Sequence, residues 1–273
     1  MARPLVYEPK GRAREYAPLA LNIYTGCPHA CQYCYVRRRF GQVNTVPKQR
    51  VLLTRLEAEA KAMAGDPRPI MLSFMSDPYP RGVNPDHTLD VLRVLLGHGM
   101  SVRILSKGGL ASLAHLDLLS EHRDQVEFGQ TITCVDEPMR RVVEPGAAPA
   151  GERVAALQEA HLAGLRTFVS LEPLIDCQRV LDVVDQQADY VDRWNIGGPV
   201  NYWSLAARPA VDGVDWAELD RQARLPWNYV ALAKSMAERG CTVGLKRDAW
   251  AIVEKGGAKA MEALSWCVKL WEV

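Results

Sequence analysis

Short apolar runs and amphipathic stretches take turns along almost the whole chain, and that alternation leaves few folds open. LALNIY (19–24), IMLSFM (70–75), SVRILS (101–106), VEFGQTITC (126–134), RTFVSL (166–171) and DYVDRWNIGG (189–198) read as strands. Around them, VLLTRLEAEAKAM (51–63), HTLDVLRVLL (87–96), LASLAHLDLLS (110–120) and ERVAALQEAHLA (152–163) carry the helical period. The first of these sets Val51, Leu52, Leu56, Ala60 and Met63 along one face, and Gly164 stops the last. WNYVALAKSMAERG (227–240) and CTVGLK (241–246) add a further helix and strand. Strand and helix repeated in this way build a parallel sheet. The expected architecture is therefore α/β, a partial (β/α)6 TIM-like barrel or an open, curved part of one.

In such a fold the loops after the strand C-termini share one mouth. Residues 27–34 follow the first strand, and Ser76 and Asp77 the second. Lys107 follows the third, Thr131 and Thr133 sit on the fourth, Glu172 follows the fifth, and residues 195–198 the sixth. Beyond residue 198 the rhythm loosens through PVNYWSLAARPAVDGVDW (199–216), too long for a routine connection and expected to be a lid or substrate loop. No low-complexity stretch or linker divides the 273 residues. One domain is expected, with a core at about residues 19–200 and a C-terminal extension over 201–273. No apolar run reaches the roughly 18 residues of a membrane span, and the start lacks a signal-peptide core, so a cytoplasmic protein is expected.

In a reducing compartment the seven cysteines are poor disulfide candidates and better candidates for metal ligation or chemistry. Cys134, Cys177, Cys241 and Cys267 are scattered and read as small buried hydrophobes. Cys27, Cys31 and Cys34 instead crowd into GCPHACQYCY. Structural zinc wants four protein ligands, and His29 as the fourth would pack all four into eight residues, whereas zinc modules join two separated pairs. A cubane of four irons held by C-x3-C-x2-C would keep one iron free of protein, able to chelate an amine and a carboxylate.

The C-x3-C-x-aromatic-C loop after a first strand, in a chain of βα repeats, resembles the radical S-adenosylmethionine (SAM) enzymes. GCPHACQYCY, SDPY after strand two, SK after strand three, and EPG with ER after strand four are similar to spore photoproduct lyase and its relatives. SLEPLI with NIGGP looks more like a phage-associated radical SAM group. The resemblance implies a radical SAM barrel, a [4Fe-4S] cluster on the three cysteines, and SAM on the unique iron. It also implies reductive cleavage to a 5′-deoxyadenosyl radical that abstracts hydrogen from a substrate, with electrons from a flavodoxin- or ferredoxin-type donor.

On the same resemblance Tyr33 would meet adenine, and Ser76 and Asp77 the amino group of SAM in place of a Gly-Gly-Glu segment that this chain lacks. Lys107 would reach the carboxylate or ribose, and Thr131 or Thr133 the ribose hydroxyls or carboxylate. Glu172, a carboxylate ending an apolar strand with Ser170 on the same side, is expected either to contact SAM or substrate or to form an ion pair with Arg153 or Lys246.

Three readings of the activity follow. The first is chemistry on a nucleic-acid base, as repair, modification or isomerisation. Arg37, Arg38, Arg39, Lys48, Arg50 and Arg55 would hold the backbone, and Tyr202 and Trp203 would add aromatic surface. A net charge of +1 gives no overall support for a DNA partner. The second is a peptide or small metabolite under the 199–216 loop. The third is a zinc-binding protein without turnover. Cys134, directly after strand four, is the best-placed thiol for a hydrogen donor, with Cys241 the other, and both are expected to be buried.

Overall fold

A computed structural model describes residues 3–41, 46–200 and 207–272. Its strands are β1 (Val6–Tyr7), β2 (Leu19–Leu21), β3 (Tyr24–Thr25), β4 (Lys48–Gln49), β5 (Ile70–Leu72), β6 (Val102–Ser106), β7 (Val126–Thr131), β8 (Arg166–Leu171), β9 (Arg193–Ile196), β10 (Thr242–Leu245) and β11 (Val268–Lys269). The helices are α1 (Tyr35–Phe40), α2 (Leu53–Ala62), α3 (Asp86–Gly97), α4 (Leu116–Glu121), α5 (Glu137–Val143), α6 (Ala150–Leu162), α7 (Cys177–Gln187), α8 (Trp216–Gln222), α9 (Pro226–Glu238), α10 (Arg247–Val253) and α11 (Gly257–Ala263).

Nine strands form one sheet in the order β1-β2-β5-β6-β7-β8-β9-β10-β11, parallel throughout except for the antiparallel β1. Among the described residues β1 and β11 do not pair with each other, so the barrel stays open, as a partial TIM-like barrel does. Residues 207–272 contribute β10 and β11 to this same sheet. The two-residue period sorts the side chains. Leu19, Leu21, Ile70, Leu72, Val102 and Ile104 point outward and pack with Leu56 of α2 and Val91, Leu92 and Leu95 of α3. Val169, Leu171, Trp194, Ile196, Val243 and Leu245 do the same with Val180 and Val184 of α7 and Tyr229, Ala233 and Met236 of α9. Each fully buried Leu or Val stabilises the fold by about 1.5–3 kcal/mol.

Several elements are shorter than the apolar runs suggest. The first strand stops at Leu21 and restarts as the small β3–β4 pair, the second stops at Leu72, and the fourth stops at Thr131. The 110–120 stretch is a 3-10 turn (Gly109–Leu113) followed by α4, not one helix. Helices α5 and α7 fill what read as connections. Each begins with a capping aspartate: Asp136 accepts from the Met139 amide, and Asp176 from those of Gln178 and Arg179. Among the described residues no helix is long and apolar enough to cross a membrane.

The N-terminal segment has no counterpart in the strand-and-helix reading. After a 3-10 turn (Gly11–Glu15), Tyr16 hands its carbonyl to Arg103 of β6, and Tyr16 and Ala17 pack against Ala20, Met71 and Leu105. Tyr16 and Ala17 thereby lie against the inner face of the sheet, while Lys10, Gly11, Arg12 and Arg14 stay exposed.

Candidate active site

The three thiols open on one cavity of about 540 Å³ at the C-terminal ends of the parallel strands. Ser76, Asp77, Lys107, Thr131, Tyr33 and Glu172 line it as well. Thr133 does not. It is buried, and its hydroxyl donates to Glu144 Oε1 at 3.0 Å. Tyr202 and Trp203 lie outside the described residues, whereas Val200, at the start of the same loop, reaches the cavity. Trp216, where that loop ends, packs in one apolar cluster with Cys31, Tyr33 and Cys134.

The cysteine loop is braced from both sides. Gln32 N donates to Val143 O at 2.8 Å, Gly146 N to His29 O at 2.9 Å, and Cys34 N to Cys31 O at 3.1 Å. Gly146 is needed for this approach, because a Cβ there would stand 2.2 Å from the Pro28 carbonyl. Burial beside the Asp77 carboxylate pushes the Cys27 thiol up to about 11, and burial pushes Cys31 up as well. Metal binding would displace those protons.

His29 is not available as a fourth ligand. Its Nε2 accepts from Arg81 N at 3.0 Å, and its Nδ1 faces Asp77 Oδ2 at 3.5 Å. Among the described residues no three His, Cys, Asp or Glu side chains converge as a site for a single ion. Three thiols around one cavity without a fourth protein donor suit a cluster with an open corner. The Ser76 hydroxyl, buried and without a hydrogen-bond partner, leaves a polar group beside them for a ligand to satisfy. The residues therefore fit a cluster with a polar small molecule beside it.

Asp77 is well occupied within the chain. Its Oδ1 accepts from Tyr79 N at 2.9 Å and Ser106 Oγ at 2.6 Å, and its Oδ2 from Lys107 N at 2.8 Å. It thus joins the loops after β5 and β6. Lys107 sets its ammonium 5.7 Å from the Tyr33 ring centre. Burial lowers its pKa, but Cys31 and Glu144 outweigh that and raise it.

The far end of the cavity is a second polar group. Glu172 meets Lys246 Nζ at 2.5 Å, and also Arg12 and the Tyr16 hydroxyl. Burial would raise its pKa, yet Lys246 and Arg12 hold it down at about 2. Lys246, not Arg153, is its partner. Arg12 also bridges to Asp248, and Tyr16 Oη lies 3.1 Å from Ser170 Oγ. Gly197 leaves room for this carboxylate, since a Cβ there would stand 2.8 Å from Glu172 Cβ. Arg153 pairs instead with Glu144 away from the cavity. Arg12 and Tyr16 carry no recognisable motif, whereas Glu144 opens the EPG stretch that resembles spore photoproduct lyase but is given no role there.

Two of the expectations for the remaining cysteines can be placed. Cys134 is 1% exposed and does not line the cavity, and Cys241 belongs to the outer core, so neither is aimed at the mouth.

Comparisons with known proteins agree with this geometry. The Radical SAM superfamily profile matches residues 21–175. An uncharacterized protein of Acidianus two-tailed virus is 29% identical over 185 residues, 63% of this chain and 61% of that protein. An uncharacterized protein of Mycobacterium tuberculosis (strain CDC 1551 / Oshkosh) is 27% identical over 167 residues, 57% of this chain and 49% of that protein. The chain thus spans about half to six tenths of the length of these curated relatives. Spore photoproduct lyase complexed with dinucleoside spore photoproduct shares the fold with a TM-score of 0.54 at 18% identity, covering 70% of this chain and 58% of that one. Streptococcus suis SuiB bound to S-adenosylmethionine has a TM-score of 0.58 at 10% identity, covering 83% of this chain and 49% of that one. With the profile spanning more than half of the chain and the three spaced thiols opening on the barrel mouth, the protein belongs to the radical SAM superfamily, whose members use a [4Fe-4S] cluster and S-adenosylmethionine.

Proposed function

We propose that the protein is a radical SAM enzyme acting on a base of a single-stranded or locally opened nucleic acid. The observation that carries the substrate class is the basic rim of the cavity. Lys10, Arg37 and Arg39 line its mouth next to the cysteine loop, and Lys10 and Arg39 are exposed. Tyr35 and Phe74 line the same mouth and offer aromatic surface. Cations that track phosphates beside rings on which bases stack are the usual means of holding an unpaired strand. The cavity is also of a size that suits small-molecule ligands. The fold it shares with spore photoproduct lyase, solved with a dinucleoside photoproduct, is compatible with this reading.

When bound, the cofactors supply a one-electron cleavage of the SAM sulfonium and hence a hydrogen-abstracting radical. Cys27, Cys31 and Cys34 would hold the cluster. Ser76 Oγ and Asp77 would meet the ammonium of SAM, Lys107 and Thr131 its carboxylate or ribose, and the Tyr33 ring its adenine. Glu172 would stay ionised at any working pH and, with Arg12 and Lys246, would form the polar wall facing the substrate. Thr133, with its hydroxyl on Glu144 outside the cavity, would not contact SAM directly.

The test is binding of a labelled single-stranded oligonucleotide to the reconstituted protein across a salt series. Affinity should fall steeply with salt, and Lys10→Ala/Arg39→Ala should flatten the log–log slope by about 1.4, at roughly 0.7 per phosphate contact for the two contacts removed. No binding at low salt, or a slope that ignores both substitutions, would overturn the nucleic-acid reading in favour of a peptide or small metabolite.

A further inference from the structure

Glu144 and Arg153 are fully buried, lie outside the cavity, and have no part in the chemistry derived above. Both nonetheless sit where the cysteine loop is anchored. Glu144 Oε1 accepts from the Tyr33 hydroxyl and from Thr133 Oγ1, while Oε2 faces Arg153 Nη2 at 2.6 Å. Arg153 is held in turn by two carbonyls, Ala148 O and Thr131 O, each at 2.9 Å from its Nε and Nη1. Arg140 Nη1 donates to the Glu144 carbonyl at 2.7 Å and to Ala147 O at 3.0 Å, which fixes the turn that carries Glu144.

That turn also touches each neighbouring rim loop through its backbone. Val143 O receives Gln32 N, Gly146 N reaches His29 O, and Ala148 N donates to Lys107 O at 2.9 Å. The backbone bonds fix how near the cysteine loop lies, but they do not set the rotation of Tyr33 between Cys31 and Cys34. The hydroxyl on Glu144 does. Packing against Met139, Val143 and Trp216 confines the ring, and a short, directional bond to an ionised carboxylate fixes where its hydroxyl end rests. A buried ion pair is a poor source of net stability compared with apolar residues of the same volume. Its gain here is therefore orientation.

We propose that the Glu144–Arg153 pair is a positioning device for the cluster loop, acting through the Tyr33 hydroxyl to set the pose of Tyr33 and of the thiols on either side of it. The inference does not depend on the substrate. It rests only on the three cysteines being the cluster ligands, and iron content reports on that separately. Groups one shell out from a metal site orient its ligands in this way, and changing them commonly costs about 10–100-fold in affinity or activity.

The experiment compares Tyr33→Phe, Glu144→Gln, the double variant and Arg153→Lys, all reconstituted without oxygen. The readouts are iron per chain, the EPR spectrum of the reduced cluster with and without SAM, the SAM dissociation constant and the thermal midpoint. Tyr33→Phe should keep its iron and fold, broaden the EPR spectrum, blunt its response to SAM and weaken SAM binding about tenfold. Glu144→Gln should match it, and the double variant should be no worse than either single one, because both remove the same link. Arg153→Lys, which keeps the charge, should recover part of the SAM response. The proposal is overturned if these proteins lose thermal stability while their EPR spectra and SAM affinity stay as in the parent, or if the two single effects add. Tyr33→Phe removes only a hydroxyl and keeps the ion pair, so it decides the question even if Glu144→Gln fails to fold.

Discussion

Cys31→Ala protein, purified and reconstituted without oxygen, holds at most a trace of iron, where the parent holds about four irons and four sulfides per chain. The expectation rests on how few ligands are present. Three thiols open on the cavity, His29 is tied to Arg81 and Asp77, and no other imidazole is close enough to line the mouth. Removing one of three leaves two thiolates, too few to retain a cubane against chelation. Cys27→Ala and Cys34→Ala should behave alike, and all three should lose reductive SAM cleavage. Cys177→Ala and Cys267→Ala are the controls. Both thiols are buried in the outer helical layer, and their loss should leave iron and visible absorbance unchanged. A Cys31→Ala protein that keeps its full iron and cleaves SAM would remove the central assignment.

The parts of this molecule that could be read from residue order are those fixed by local physics. The short apolar run RTFVSL, buried on both faces, and the period of 3.6 in HTLDVLRVLL are local signals, and both elements stand where the pattern puts them. The spacing of Cys27, Cys31 and Cys34 is likewise a local fact. Helices α5 and α7 are absent from the strand-and-helix reading although Asp136 and Asp176 mark their starts as capping residues. Capping residues would have been the better guide than hydrophobicity.

What order along the chain could not show is which distant charges meet. Glu172 was recognisable as a carboxylate in need of a partner, and Lys246 was one of two cations considered for it. Arg12 and Tyr16 were not, since they precede the first barrel strand and reach Glu172 only because the N-terminal segment folds into the barrel. Glu144, on the turn just after α5, and Arg153 of α6 sit nine positions apart and face each other only once that turn has folded back over the start of α6. Sequence fixes the cost of burying each charge. Only the fold assigns which opposite charge offsets it.

That offset leads to the largest stability effect expected here. Arg153→Met fills a similar volume without the charge and leaves Glu144 fully buried with only the Tyr33 and Thr133 hydroxyls, and Lys107 more distantly, to stabilise it. Breaking such a pair from one side costs about 3–5 kcal/mol. In a chain of this size that lowers the thermal midpoint by roughly 6–20 °C. The pH dependence identifies the cause. In the parent, burial would raise the Glu144 pKa, but Arg153 and Lys107 hold it at about 2 against an ordinary 4.5. Its contribution, about 3 kcal/mol, is therefore fully present above pH 4.5 and is lost only as pH falls toward 2. Without Arg153 the balance reverses: burial wins, the folded-state pKa rises above 4.5, and protonation relieves the variant as the solution is acidified. The gap between parent and variant should narrow as pH falls from the variant's raised pKa toward 4.5, a range in which the parent's own Glu144 does not titrate. Glu144→Leu/Arg153→Met, which removes both charges together, should regain much of the lost stability at neutral pH. A gap that stays constant with pH, together with a double variant no more stable than the single one, would mean that Arg153 contributes through packing and that the carboxylate it covers is not the origin of the effect.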